Sequence, residues 1–324
     1  MTAVVDRAGA ENTRQQAAPG KWQRGRVIAA AAVLSALVMV AQGAVPNGAG
    51  NLGSLVETFL PWLGVSVPVL LVLAAVRRSA TAGVAVLLPA VVWGSLYGGT
   101  LADKRAADGE LTVVSHNVND ENPDPGRTAR GLVVSGAALL ALEELTPRTA
   151  PVYERAMAGS YAYHSVHGTV GLWSKYPLRD VEPVAIMPWT RALRATADTP
   201  KGPLAVYVAH LASVRVQPTA GFTTARRDEA AVKLADAIRA ERLPRVVVVG
   251  DFNGTSADRA LRPVTSQLSS AQEGARAGFG FSWPASFPVA RIDQVLGRGV
   301  TAASAWTLPP MGSDHLPVAA ALWL

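Results

Sequence analysis

The chain of 324 residues contains no cysteine. Disulfide frameworks and thiolate metal sites are therefore both excluded. Charge is scarce as well: Asp, Glu, Lys and Arg make up 17% of the residues and hydrophobic residues 49%. An average soluble domain carries about 25% charged residues, so some stretch must be nearly charge-free. That stretch lies in the first hundred residues. Also missing is any basic run with interleaved aromatics. The net charge of +6 divides unevenly: 7 Lys/Arg and 3 Asp/Glu up to Ala102 leave 23 basic and 21 acidic residues beyond it. The C-terminal part is close to neutral, and its charge does not argue for a polyanion groove.

What is present begins with three apolar runs, roughly Val27 to Val45, Leu55 to Val76 and Ala82 to Tyr97. Each approaches the ~20 residues needed to cross a hydrocarbon core as a helix. The turns between them are too short to fold back around a soluble core. No small-residue cleavage site closes the first run, which argues against a secretory signal. Arg7, Arg14, Lys21, Arg24 and Arg26 precede it, the loop from Pro46 to Ser54 has no Lys or Arg, and Arg77 and Arg78 follow the second run. The positive-inside rule then makes the N-terminus cytoplasmic and exports everything after Gly99, although Lys104 and Arg105 weigh against it. Glu57 is the one acid inside a span. It stands near the span's start, where its carboxylate is expected to reach headgroup water. The expected organisation is a disordered cytoplasmic tail over 1–25, three transmembrane helices within 26–99, a linker over 100–110 and an extracytoplasmic domain over 111–324.

From Leu111 onward, short β-rich runs alternate with helical ones, which means α/β. Strands are expected at Leu111 to Val118, Ala138 to Leu142, Val170 to Ser174, Leu204 to Ala209, Arg245 to Val249 and Val318 to Leu322. The run Val246-Val247-Val248-Val249 is continuous and β-branched, as in a strand buried on both faces. Thr223 to Ala240 places Ala231, Leu234, Ala235 and Ile238 at helical spacing. Polar residues follow the strands: Ser115-His116-Asn117, Glu143-Glu144, His210 and Gly250-Asp251-Phe252-Asn253. Arg291-Ile292-Asp293 opens a further run, and Gly312-Ser313-Asp314-His315 precedes the last strand. Side chains at strand ends collect in the crevice where α/β folds bind ligands.

These blocks, in this order, resemble the endonuclease/exonuclease/phosphatase superfamily over about Leu111 to Leu324. Alone, Gly-Asp-Phe-Asn or Ser-Asp-His is a weak signal. Together with Leu142-Glu143-Glu144 and Arg291-Ile292-Asp293 they form a specific set. The resemblance implies a four-layer sandwich, two packed β-sheets flanked by helices, and attack by water on phosphorus. It makes Glu144, Asn117 and Asp314 the metal-site residues. Mg²⁺ is the expected ion, with Mn²⁺ and Ca²⁺ as alternatives, because hard cations suit oxygen donors. Asp251 would position or deprotonate the water, and Asn253 would donate to a phosphoryl oxygen. His315 would be the catalytic histidine with Asp293 fixing its tautomer, and His210 a general acid near the leaving group. Arg227, or its neighbour Arg226, would meet the substrate phosphate. Two positions depart from the pattern: His116 precedes Asn117, and Glu143 stands where Gln is common. The basic insertions of DNA-cutting members are absent, so nucleic acid is not expected as a partner.

Three spans followed by such a domain resemble the membrane-anchored teicoplanin-resistance proteins of the VanJ type. That resemblance implies a multi-pass plasma-membrane enzyme acting on a lipid-linked phosphate such as undecaprenyl pyrophosphate, with a role in envelope stress. Phospholipid or sphingomyelin phosphodiesterase, surface nuclease, and a non-catalytic lipid sensor are the alternatives.

Overall fold

A computed structural model describes residues 20–324 apart from 23, 49, 107 and 218; most of the expected N-terminal tail lies outside the described residues. Its first part is helical: α1 (Arg26–Ala41), α2 (Leu52–Phe59), α3 (Ser66–Val76) and α4 (Ala80–Leu101). A 3₁₀ stretch, Leu60–Val65, joins α2 to α3 into one rod. Three segments, Arg26–Ala44, Leu52–Val76 and Ala80–Leu101, are long and apolar enough to cross a membrane. The 25-residue middle segment would be roughly 37 Å long at helical rise, more than the ~30 Å hydrocarbon core requires. Its first turns therefore have length to spare. Ser79 caps α4 by accepting from the Ala82 N–H. Helix α4 also runs two residues past the expected end at Gly99.

Beyond it come, in chain order, β1 (Leu111–Asn117), α5 (Pro125–Val134), β2 (Leu139–Glu143), α6 (Ala150–Met157), β3 (Tyr163–His167), β4 (Val170–Ser174), β5 (Leu178–Pro183), β6 (Ala192–Thr199) and β7 (Gly202–Ala209). The short hairpin strands β8 (Val216–Gln217) and β9 (Gly221–Phe222) precede α7 (Ala225–Ala240), β10 (Val246–Asp251), β11 (Ser269–Ser270), β12 (Asp293–Arg298), β13 (Thr301–Thr307) and β14 (Val318–Trp323). One sheet has the order β13-β14-β1-β2-β4-β3 and the other β11-β12-β10-β7-β6-β5. Both are mixed: β1 runs parallel to β2 but antiparallel to β14, and β10 parallel to β7 but antiparallel to β12.

Side-chain alternation builds the layers. Val113, Ala141 and Leu172 of the first sheet meet Val206, Val247 and Val249 of the second in one buried cluster. The opposite faces go to helices. Val246 and Val248 pack on Ala231, Leu234, Ala235 and Ile238 of α7. Val114, Leu140 and Leu142 pack on Leu132 of α5 and on Tyr153 and Met157 of α6. The result is the four-layer arrangement of helices, sheet, sheet and helices. Each fully buried valine in this stack contributes about 1.5–3 kcal/mol, so β10, buried at every position, is a rigid platform for whatever follows it.

The N-terminal helices dock on this domain at three places. At the first, Asn51 Nδ2 donates to the Phe222 carbonyl and the Phe222 N–H to the Gly50 carbonyl. A Cβ on Gly221 would lie 2.5 Å from the Gly50 Cα, so only glycine allows this approach. At the second, Glu57 accepts from the Arg259 backbone N–H and Nε, both at 2.9 Å, and Ser54 Oγ donates to Asp258. At the third, Trp62 stacks on Phe281 and donates to the Val289 carbonyl, while Trp93 and Tyr97 meet Phe279. Glu57 is 3% exposed, which corrects the expectation that its carboxylate reaches headgroup water: it is spent on an ion pair with the sandwich.

Candidate active site

The polar ends of β1, β2, β7, β10 and β12 converge at one edge of the two sheets. The local chain conformation there is costly. Asn119, Glu144 and Asn253 all have positive φ (62°, 62° and 46°), a strain of order 1–3 kcal/mol each that clusters at functional sites. Gly250 has φ 142° and lies so close to the Ala209 carbonyl that a Cβ would meet it at 1.9 Å. Glycine there lets β10 deliver Asp251 beside the end of β7.

Asp251 is the hub. Its Oδ2 accepts from Asn117 Nδ2 at 3.0 Å and from Asn253 Nδ2 at 3.1 Å, and its Oδ1 from the Asn253 N–H at 2.8 Å. The same Oδ2 lies 3.6 Å from His210 Nε2 and 3.8 Å from His315 Nε2. Burial first, and then the neighbouring Asp293 charge, push its carboxyl up to about 7 against the pull of His315. His315 Nδ1 faces Asp293 at 3.0 Å, and Ser282 Oγ donates to Asp293 Oδ2 at 2.6 Å. Burial alone would lower the His315 imidazole, but Asp293, Asp251 and Asp314 outweigh it and lift it to about 10. At neutral pH His315 is thus an imidazolium with Nε2 facing the hub.

His210 has the opposite character. Burial, then the charges of Arg191 and His315, hold it well below the ordinary histidine value. Arg191 aims its guanidinium at His210 Nε2 and donates from Nε to the His210 carbonyl. A neutral ring that accepts at Nε2 has its one proton on Nδ1 and none on the nitrogen nearest Asp251, which weighs against the general-acid role expected of it. Glu144 Oε1 lies 3.7 Å from that nitrogen and its Oε2 accepts from the Asp120 N–H. Asn117 is linked to Asp314 through Asn119, whose N–H donates to Asn117 Oδ1 and whose Nδ2 donates to Asp314 Oδ1. Trp283 Nε1 donates to the other Asp314 oxygen.

Two expected roles change. Asn253 spends its amide hydrogens on Asp251 and the Leu211 carbonyl, so it fixes the hub where a donor to the phosphoryl oxygen was expected. Arg227 is fully buried; it pairs with Asp258 at 2.7 Å and donates to the Asn253 carbonyl. It therefore braces the Asp251–Asn253 loop from beneath and is closed to a substrate phosphate. The two sequence departures are buried as well. His116 is held down to about 3 by burial, and burial together with the Asp293 charge pushes Glu143, bonded to Ser115 Oγ, well above its ordinary value. Arg191, Asn119, Ser282 and Trp283 escaped the sequence reading, because no motif marks them and only the fold brings them to the edge.

Asp251, Asp293 and His315 offer ligand atoms within 4.8 Å of one another. Spacing alone would let them hold a cation, although His315 Nδ1 is already engaged by Asp293. Glu144 is freer. It reaches the cleft and, with the second lone pair of the Asn117 amide oxygen, offers oxygen donors of the kind hard divalent ions take.

The chain belongs to the endonuclease/exonuclease/phosphatase family, whose model matches residues 96–315, more than half its length. It is accordingly a phosphoester hydrolase of a divalent-metal-dependent class. Solved structures share the fold. A humanized D. rerio TDP2 is 20% identical with TM-score 0.54, covering 65% of this chain and 98% of its own. A beta toxin from Staphylococcus aureus is 12% identical with TM-score 0.51, over 65% and 99%. An endonuclease/exonuclease/phosphatase from Beutenbergia cavernae is 16% identical with TM-score 0.52, over 65% and 71%. At these identities the likeness is one of fold alone. No curated protein matches the chain.

Proposed function

We propose that the protein is a membrane-anchored, Mg²⁺-dependent phosphoesterase acting at the outer face of the plasma membrane on a lipid-linked phosphate such as undecaprenyl pyrophosphate. The observation that carries this reading is the conjunction of the Asp251–His315–Asp293 cluster with three apolar helices that dock directly beside it. Asp251, with a carboxyl near 7, is matched to take a proton from an attacking water. His315, held charged by Asp293, offers Nε2 to a phosphoryl oxygen as negative charge builds there. Asn117 and Asn253 keep Asp251 aimed, and Arg227 keeps its loop in place. Glu144 and Asn117 would hold Mg²⁺, with Asp314 at the rim. The ion supplies Lewis-acid polarisation of the phosphoryl oxygen.

Orientation is supported by where the basic residues gather. Ser79 Oγ donates to the Arg24 carbonyl and the Ala80 N–H to the Lys21 carbonyl, so Lys21, Arg24, Arg26, Arg77 and Arg78 share the end of the helices away from the sandwich. Those charges favour the cytoplasm. Tethering then confines enzyme and lipid substrate to one surface and raises their effective concentration. A role in envelope stress or glycopeptide resistance follows if the lipid carrier is the substrate.

Full-length protein with Mg²⁺ should release phosphate from undecaprenyl pyrophosphate while leaving sphingomyelin and plasmid DNA intact. Turnover of sphingomyelin or DNA instead would replace the substrate assignment. Equal inactivity of wild type and His315→Ala on all three would remove the enzymatic reading. A reporter active only outside the cytoplasm should be active after Gly99 and silent after Arg78; the reverse pattern would overturn the orientation.

A further inference from the structure

The catalytic cleft, about 590 Å³, is not built by the sandwich alone. Its lining brings Thr58 and Phe59 from the end of α2 together with Asp251, Asp314 and His315 and with Phe222 and Ile292. The lining thus combines charged and hydrogen-bonding groups of the sandwich with an aromatic ring of the helical region. Phe59 is half-buried, so part of its ring remains available to a ligand. Three residues further along the same rod, Trp62 joins an aromatic group with Phe281 and Phe287, and Trp93 and Tyr97 extend it through Phe279. Phe287 is 67% exposed although it is large and apolar. Aromatic rings gathered at one level of apolar helices mark a membrane–water boundary. Phe59 precedes this aromatic group by about one helical turn and lines the cleft.

The docking contacts fix it there. Glu57 and Ser54, two and five residues before Phe59, are tied to Arg259 and Asp258, and Asp258 is tied through Arg227 to the loop bearing Asp251. On the other side Asn51 and Gly50 hold the β8–β9 hairpin that supplies Phe222. The position of Phe59 relative to the hub is set by ion pairs and backbone bonds on both flanks.

We infer that Phe59 of the second apolar helix is a substrate-specificity residue: it receives the first segment of an apolar chain whose terminal phosphate lies at Asp251 and His315, and guides that chain from the cleft into the bilayer. This rests on the phosphoesterase reading above and adds to it the class of substrate, a single-chain amphiphile with the phosphate at its end, and the side on which the chain leaves. A cleft walled by a lipid-facing helix selects for chain length near the phosphate, where an isolated sandwich would select for the headgroup alone.

The test compares dimethylallyl and farnesyl pyrophosphate, which share an allylic pyrophosphate and differ in chain length, as substrates of the full-length protein in detergent with Mg²⁺. Wild type should favour farnesyl in kcat/KM by roughly tenfold or more, as burying two or more methylenes implies. The preference should lie in KM. In Phe59→Asp the ratio should fall towards one, and Phe59→Leu should retain most of it. Partition into detergent acts alike on all variants, so a change in the ratio reports the side chain at position 59. A wild-type ratio near one, or a ratio unmoved by Phe59→Asp while Phe59→Leu is equally active, overturns the inference and leaves the phosphoesterase reading standing. Release of phosphate from neither compound by wild type overturns the inference together with the assignment of a lipid pyrophosphate as substrate.

Discussion

Valine, leucine and alanine dominate both regions of this molecule, and the two regions use them in opposite ways. In the helical region Val27, Leu34, Val40, Leu71 and Val91 are exposed; in the sandwich Val113, Leu142, Val206 and Val247 have no accessible surface. Polar residues invert the same way where the regions meet: Ser54, Glu57 and Thr58 are buried in a helix whose apolar neighbours are not. Apolar character alone therefore does not mark a core. A region that keeps its large apolar side chains outside and its few polar ones inside is built for an apolar solvent. The lesson for function is that polar groups help to join the regions, and that the joint runs beside the candidate active-site cleft.

The sharpest way to separate the regions is to disable the chemistry and leave the joint intact. His315→Ala should lower kcat by about 10²- to 10³-fold, the range for losing a donor to developing phosphoryl charge, with little change in thermal unfolding at neutral pH beyond the lost pairing with Asp293. A drop of only a few-fold would show that His315 is not central. The pH profile sharpens this further. The folded pKa of His315, about 10, lies above its ordinary 6.5, so its pairing stabilises fully below about pH 6.5 and is lost as pH rises through about 10. Asp251, raised to about 7, must lose its proton to act as a base. A bound cation can only favour that loss. The rate should therefore rise through about pH 7 or below and hold until about pH 10. Asp293→Asn removes a charge that raises both groups, so both limbs should move to lower pH. A profile left in place would separate Asp293 from the chemistry.

Smaller effects address the joint. Arg227→Ala should cost about 3–5 kcal/mol in unfolding free energy by stranding the buried Asp258, and Arg227→Lys less. A loss of substrate affinity at unchanged stability would restore the phosphate-binding role that burial argues against. Glu57→Gln should cost about 1–3 kcal/mol through the unpaired Arg259, seen as a lower unfolding temperature in detergent. The swapped pair, Glu57→Arg with Arg259→Glu, should recover part of it. If Glu57→Gln is neutral, the hairpin, Ser54 and aromatic contacts hold the two regions together without the ion pair.

The layers of the sandwich were legible because they rest on local signals. The β-branched run of β10 and the helical spacing of α7 state their own environments, and all six expected strands are present within a few residues. Strands β3, β5, β6, β12 and β13 were less visible, because β5 and β6 carry Arg179, Asp180, Arg194 and Asp198 in place of apolar alternation. Motif order brought Asp251, Asp293 and His315 to one place. It could not show what burial decides: that Arg227 faces inward, that His210 is neutral, or that Glu57 is paired. Those depend on neighbours 19 to 202 residues away in the chain, such as Arg191 for His210 and Arg259 for Glu57. No pattern in one strand or helix records them.

The central claim, that this cluster hydrolyses a phosphoester with a divalent ion at the membrane surface, is tested most directly by phosphate release from undecaprenyl pyrophosphate. The assay uses full-length wild type and His315→Ala in lipid nanodiscs, before chelation with EDTA, after it, and after Mg²⁺ is restored. The account predicts turnover by wild type that vanishes on chelation, returns with Mg²⁺, and is missing throughout in His315→Ala. Turnover that survives chelation, or that His315→Ala retains, would contradict it.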